Sequence, residues 1–179
     1  AIGLATMLEL PLVICNIQRG GPSTGLPTKT EQSDLLQALY GRNRECPLVV
    51  IAASTPADCY EMSYMAVKIA IEHTVPVMFL SDGYLATGAQ PWMIKTLNEM
   101  PEISSHFIRK ADERKPYQPY ARNENLSRDH AVPGSPGMEH RIGGLEKENI
   151  TGNISYDAAN HELMVKLRAQ KVMNVADTI

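Results

Sequence analysis

Three short, nearly unbroken apolar runs restrict the folds open to this chain: Leu12-Val13-Ile14-Cys15-Asn16-Ile17, Leu48-Val49-Val50-Ile51-Ala52-Ala53 and Val75-Pro76-Val77-Met78-Phe79-Leu80. Runs of this length, without polar alternation, read as strands covered on both faces, the habit of parallel sheets. Helical signals separate them. Residues 2–8 read as a first helix and 34–40 as a second, which Gly41, a usual C′ residue, would close. Thr55 is placed as N-cap of a third helix running to about His73, with Pro56 at N1 and Asp58 at N3, and Met62, Met65, Ala66, Ile69 and Ala70 on its core face. Strands joined by helical crossovers imply an α/β fold with a parallel sheet and right-handed connections. Three strands make a small sheet, and the chain opens with Ala rather than Met inside a helix. The expectation is therefore a piece of a larger domain, with further strands before Ala1.

The loop 18–30, Gln-Arg-Gly-Gly-Pro-Ser-Thr-Gly-Leu-Pro-Thr-Lys-Thr, leaves the end of the first strand, where ligands of open α/β sheets bind. Gly20, Gly21 and Gly25 would permit positive φ and close backbone approach, while Pro22 and Pro27 pre-shape the loop. Arg19 offers a planar fork for a carboxylate or phosphate, and Ser23, Thr24 and Thr28 offer hydroxyl donors. The pattern points to a small anion. A surface loop with a solvated arginine is the alternative. A Walker A loop is excluded by spacing, because Thr28 rather than glycine precedes Lys29-Thr30.

The rest of the sequence narrows the function classes. A formal charge of −3 argues against nucleic acid, and no apolar run is long enough to span a membrane. Cys15, Cys46 and Cys59 form no C-x-x-C pair, so neither zinc nor an iron–sulfur cluster is encoded locally, and free thiols suit a cytoplasmic setting. Cys15 is expected to be a small buried hydrophobe. The histidines show no ligand spacing. From 84 to 157 periodicity is weak and proline frequent, which suggests an extended arm, with Tyr117, Tyr120 and Tyr156 suited to contacts, or else a disordered linker. The charged run 109–115 reads as a solvated face or hinge. Asp157 would cap a final helix to about Val175, apolar along Leu163, Leu167, Val172, Val175 and Ile179, with Lys166, Arg168 and Lys171 on its polar side.

The run 18–34, QRGGPSTGLPTKTEQSD, resembles the α subunit of 2-oxoacid:ferredoxin oxidoreductases, the 2-oxoglutarate type above all. The resemblance continues through 35–41, Leu80-Ser81-Asp82, Val132-Pro133-Gly134-Ser135-Pro136-Gly137 and Asn160-His161-Glu162. It implies part of a thiamine-diphosphate pyrimidine-binding domain, organised as an incomplete α/β domain over 1–110, an arm over 111–157 and a closing helix over 158–179. It further implies thiamine diphosphate and Mg²⁺ shared with a β subunit, an iron–sulfur cluster on that partner, coenzyme A as co-substrate, ferredoxin as electron acceptor and possible α–α contacts. By the same resemblance Arg19 contacts the 2-oxoacid carboxylate, Thr28 donates to the substrate, and Ser23 and Thr24 support the loop or touch the ligand. The sequence departs from the family in lacking the upstream YPITPSS-like segment and the glutamate that activates the aminopyrimidine. Asn43-Arg44 also stands where the family often has His-Gly. The piece alone is expected to be inactive.

Overall fold

A computed structural model of the chain describes residues 1–43, 45–112 and 115–179. Helix α1 (Ile2–Leu8) leads into β1 (Leu12–Gln18), α2 (Leu35–Tyr40), β2 (Val49–Ala52), α3 (Pro56–His73), β3 (Pro76–Asp82) and a one-turn helix α4 (Gly83–Thr87). The three strands form one parallel sheet in the order β1-β3-β2, with Leu12 opposite Pro76 and Val49 opposite Val77. β3 is central and buried at every position. The order follows from two crossovers, the second of which lays β3 between the strands already in place.

Alternation along β3 divides its side chains between two layers. Val77 and Phe79 pack with Ala66, Ile69 and Ala70 of α3, joined by Val13, Val49, Ile51, Val172 and Val175. Met78 and Leu80 pack with Ala38 of α2, Leu48, Ile2, Ile14 and Val50. Among the described residues β1 is paired on one side only, and Cys15 on it is exposed, contrary to the expectation of a buried thiol. An edge strand leaves its side chains open to water where no neighbour covers them.

The helix ends show which signals were physical. Thr55 Oγ1 accepts from the Asp58 amide at 3.1 Å, as its capping pattern predicts, and Pro56 follows at the helix start. The Asp58 carboxylate reaches back one residue further than a capping box would, taking the Ser54 amide and hydroxyl at 2.8 and 2.9 Å. Gly41 is not left-handed, with φ −76°. It is small because a Cβ there would lie 2.5 Å from the Gln37 carbonyl oxygen. The C-terminal carbonyls of α2 are capped instead by Arg42, which donates to Ala38 and Leu39.

The arm folds back on the chain's own core. Phe107–Ile108 (β4) pairs in parallel with His130–Ala131 (β5), and Tyr120 is buried. The charged run 109–115 includes Glu113 and Arg114, and the Asn43-Arg44 pair includes Arg44; these three lie outside the described residues. The final helix α5 (Ala158–Asn174) is capped by Asp157, whose carboxylate accepts from the Asn160 amide at 2.7 Å.

Its buried face differs from the expected one. Met164, Arg168, Lys171 and Val175 turn inward, while Leu163 and Ile179 are exposed. Hydropathy put Arg168 and Lys171 outside because it cannot register a carboxylate supplied from elsewhere in the chain. Lys171 donates to Glu9 and to Thr74, and Arg168 holds Glu146 through both ends of its fork at 3.0 and 2.9 Å. Glu9 also takes Arg122, while Arg128 donates to the Leu8 and Pro119 carbonyls at 2.7 and 3.0 Å and stacks 4.6 Å above the Tyr120 ring. Glu9 precedes β1 and Thr74 precedes β3, so this charged cluster ties helix, arm and sheet together at the amino ends of the strands. Burial pushes the Glu9 carboxyl up, but Lys171 and Arg122 outweigh it and hold the group below its ordinary value.

Candidate active site at the carboxyl ends of the strands

The opposite end of the sheet carries the glycine-rich loop. It leaves β1 after Gln18 and returns to α2 at Leu35. The Gly20 amide donates to the Lys29 carbonyl at 2.9 Å, the Leu26 amide to the Gly20 carbonyl at 2.8 Å and the Lys29 amide to the Leu26 carbonyl at 2.9 Å. The loop is therefore built by its own backbone rather than by a packed core. Its residues 21–30 are all exposed.

Of the three glycines that could take positive φ, Gly25 does so, at +43°. A Cβ at Gly25 would lie 2.3 Å from the Gly20 carbonyl oxygen, so no larger residue fits without movement of the backbone. Gly20 packs closely on Leu26, Gly21 has open space beside it, and the other left-handed position is Ser23, at φ +53°. Within the loop the left-handed positions are thus Ser23 and Gly25, while Gly20 and Gly21 keep negative or extended φ.

Arg19 is exposed and curls over the loop, donating to the Thr24 carbonyl; its remaining N–H groups have no partner among the described residues. The hydroxyls of Ser23, Thr24 and Thr28 are exposed and form no hydrogen bond with described residues. Arg19 and Thr24 are thus in contact within the loop. No hydrogen bond joins Thr28 to Arg19. The loop presents a guanidinium fork and free hydroxyls outward, a set able to bind a carboxylate that approaches from outside this chain.

Beside the loop's base lies a cleft of about 210 Å³, lined by Gln18, Gln32, Leu35, Ala52, Ala53, Leu80, Ser81 and Asp82. It draws on the carboxyl ends of all three strands, the place where parallel sheets bind ligands. Leu35, Ala52, Ala53 and Leu80 make an apolar wall. The polar members satisfy one another: Gln32 donates to Asp82 Oδ2 at 2.7 Å, and Gln18 donates to the Ser81 carbonyl at 3.3 Å and accepts from the Asp34 amide at 3.0 Å. Asp82 Oδ1 accepts from the Tyr84 and Leu85 amides at 2.7 and 3.1 Å. Burial pushes the Asp82 carboxyl up, but Gln32 and the two backbone amides hold it below its ordinary value, so it is an anion at neutral pH. Sequence reading passed over Gln18, Gln32 and Asp82. The available signal was Asp82-Gly83 at the end of an apolar run, a helix N-cap pattern.

Among the described residues no group of three or more His, Cys, Asp or Glu could hold a metal ion. Cys15, Cys46 and Cys59 are all unpaired. No helix of the described residues is long and apolar enough to cross a membrane.

The family model for pyruvate flavodoxin/ferredoxin oxidoreductase, thiamine diphosphate-binding, matches residues 1–159. The chain belongs to this family. It is 56% identical over 173 residues to the 2-oxoglutarate oxidoreductase subunit KorA of Mycobacterium tuberculosis, covering 96% of this chain and 26% of that protein. It is 30% identical over 178 residues to the α subunit of 2-oxoacid:ferredoxin oxidoreductase 1 of Sulfurisphaera tokodaii, covering 98% of this chain and 27% of that one. Among solved structures it matches the 2-oxoglutarate:ferredoxin oxidoreductase of Magnetococcus marinus, with 2-oxoglutarate, coenzyme A and succinyl-CoA bound. That match has a TM-score of 0.84 and 37% identity over 99% of this chain and 30% of that one. The chain thus spans between a quarter and a third of these relatives, and its α/β fold is that of their thiamine-diphosphate-binding domain.

Proposed function

We propose that the chain is part of the α subunit of a 2-oxoacid:ferredoxin oxidoreductase, with 2-oxoglutarate as the first-choice substrate. The complete enzyme would decarboxylate the oxoacid oxidatively, form an acyl-CoA and pass the electrons to ferredoxin. The observation that carries this reading is the position of the Arg19 loop beside a cleft at the carboxyl ends of a parallel sheet. The 2-oxoglutarate-utilising relatives support the substrate class.

In this reading Arg19 pairs its fork with the substrate carboxylate, and Thr28 donates from its hydroxyl. Ser23 and Thr24 support the loop or touch the ligand, and Gly20, Gly21 and Gly25 set the loop's geometry. Once a partner covers the loop, water is excluded and the charge pair strengthens. Thiamine diphosphate, where bound, supplies stabilisation of the carbanion formed on decarboxylation. Leu35, Ala52, Ala53 and Leu80 would offer that group an apolar surface at the cleft. In the same reading Mg²⁺ and the iron–sulfur cluster belong with the partner β subunit. Coenzyme A as co-substrate is supported by the Magnetococcus structure. The division into 1–110, 111–157 and 158–179 and a cytoplasmic location belong to the same proposal.

A second reading, a non-catalytic module that binds small anions or assembles with a partner, is favoured by one feature: the polar groups of the cleft are engaged with one another rather than aimed outward. The two separate on purification with the partner subunit. The enzyme reading predicts bound thiamine diphosphate and 2-oxoglutarate-dependent, coenzyme-A-dependent reduction of a viologen dye. A correctly assembled complex without turnover on any 2-oxoacid supports the module instead.

A further inference from the structure

The loop 19–31 hydrogen-bonds within itself and, among the described residues, to no other part of the chain. Its orientation must therefore be set where it joins the sheet. Five side chains meet there: Asn16, Gln18, Gln32, Asp34 and Asp82. Gln18, at the loop's entrance, bridges the Ser81 carbonyl of β3 and the Asp34 amide at the loop's exit. Asn16 donates to the Asp34 carboxylate at 2.9 Å, drawing the same exit segment against β1. Gln32 crosses to Asp82, at the last position of β3, at 2.7 Å. Asp82 has both oxygens occupied, one by Gln32 and the other by the first amides of α4.

We propose that Gln18, Gln32, Asp34 and Asp82 form a clamp that sets the seat of the loop, and that they are positioning residues for the anion assigned to Arg19. The inference rests on the functional reading above and adds to it which residues hold the binding loop in register. Gln32 is the informative member. It is exposed and packs in neither core layer, so its removal leaves the apolar packing intact and acts through Asp82 alone. Asp82 is 2% exposed, and removing Gln32 leaves one oxygen of a buried carboxylate without its donor. Three members of the clamp, Gln18, Gln32 and Asp82, also line the cleft, together with Ser81. A shift of the clamp therefore moves the loop and reshapes the cleft together.

The test uses the assembled enzyme with three substitutions at one position. Gln32→Met removes the donor at similar length, Gln32→Glu sets a second carboxylate against Asp82, and Gln32→Lys keeps a donor. Hydrogen exchange of the amides of 20–30 reads the clamp directly, whatever the loop binds. Loss of a hydrogen bond to a charged group predicts about tenfold faster exchange and an about tenfold higher KM for the 2-oxoacid in Gln32→Met, with kcat little changed. Gln32→Glu should be worse, and Gln32→Lys should restore both. A purely architectural role would instead lower thermal stability and kcat without moving KM. Unchanged loop exchange in both Gln32→Met and Gln32→Glu overturns the clamp. So does an unchanged KM in those variants while Arg19→Ala raises it. An unchanged KM in Arg19→Ala itself sinks the functional reading, and loop exchange then judges the clamp alone.

Discussion

Replacing Glu9 by Gln tests how the chain is held together. Glu9 is 1% exposed and is the shared acceptor of Lys171 and Arg122, whose side chains are 2% and 6% exposed. It also sits in the left-handed region as the C-cap of α1, at φ +51°, a conformation unusual for glutamate and one that its two ion pairs help to hold. Removing its charge leaves two buried cations near each other, with Arg128 beside them and only neutral acceptors: the amide oxygen of the new glutamine, backbone carbonyls, Asn149, Met164 and the Thr74 hydroxyl. Breaking a buried pair in this way costs about 3–5 kcal/mol. For a chain of this size that lowers Tm by roughly 6–20 °C. The Lys171 ammonium, already drawn down to about 8 by burial against the pull of Glu9, should lose its proton at still lower pH in the variant. Thermal unfolding at pH 7 and 9 is the assay. At pH 9 the variant should recover part of its loss, because an uncharged Lys171 no longer needs the carboxylate. A loss below about 1 kcal/mol at pH 7 would refute the reasoning, since that is the worth of a pair open to water.

Three further outcomes follow from the same geometry. His130 is buried with Nε2 unpartnered, and burial, with Arg128 and Lys171 near it, lowers its pKa from 6.5 to about 4. The unfolded chain takes up a proton there at higher pH than the folded one, so stability is lost as pH falls from about 6.5 through 4, on the order of 2 kcal/mol; unfolding midpoints of His130→Leu should show a flatter acid limb. Gly25→Ala meets the Gly20 carbonyl and a disfavoured φ, so steady-state kinetics should show a raised KM for the 2-oxoacid, with Tm little altered because the loop is outside both core layers. Thr55→Ala removes the acceptor of the Asp58 amide and should cost about 1 kcal/mol in chemical denaturation.

The sequence made the sheet legible because its three strands are apolar runs bounded by strong punctuation. Thr55-Pro56 and Asp157 marked helix starts by the same local chemistry that caps them in the structure. What it could not disclose was long-range pairing. Lys171 and Glu9 lie 162 positions apart, and a lysine is assigned to solvent by any local rule. The arm was illegible for a similar reason: its order comes from Arg122, Arg128 and Tyr120 finding α1 and α5, not from periodicity. At the candidate site the loop stood out by its glycines, prolines and Arg19, whereas Gln18, Gln32 and Asp82 looked like ordinary polar residues until β1 and β3 brought them together.

The central claim is that Arg19 grips the carboxylate of a 2-oxoacid once a partner covers the loop. The direct measurement is the KM for 2-oxoglutarate of the assembled enzyme carrying Arg19→Ala, with Arg19→Lys beside it. Loss of a desolvated guanidinium–carboxylate pair predicts a KM raised at least about thirtyfold, with partial recovery in the lysine variant. A KM within twofold of the unaltered enzyme would contradict the claim and return Arg19 to the solvent.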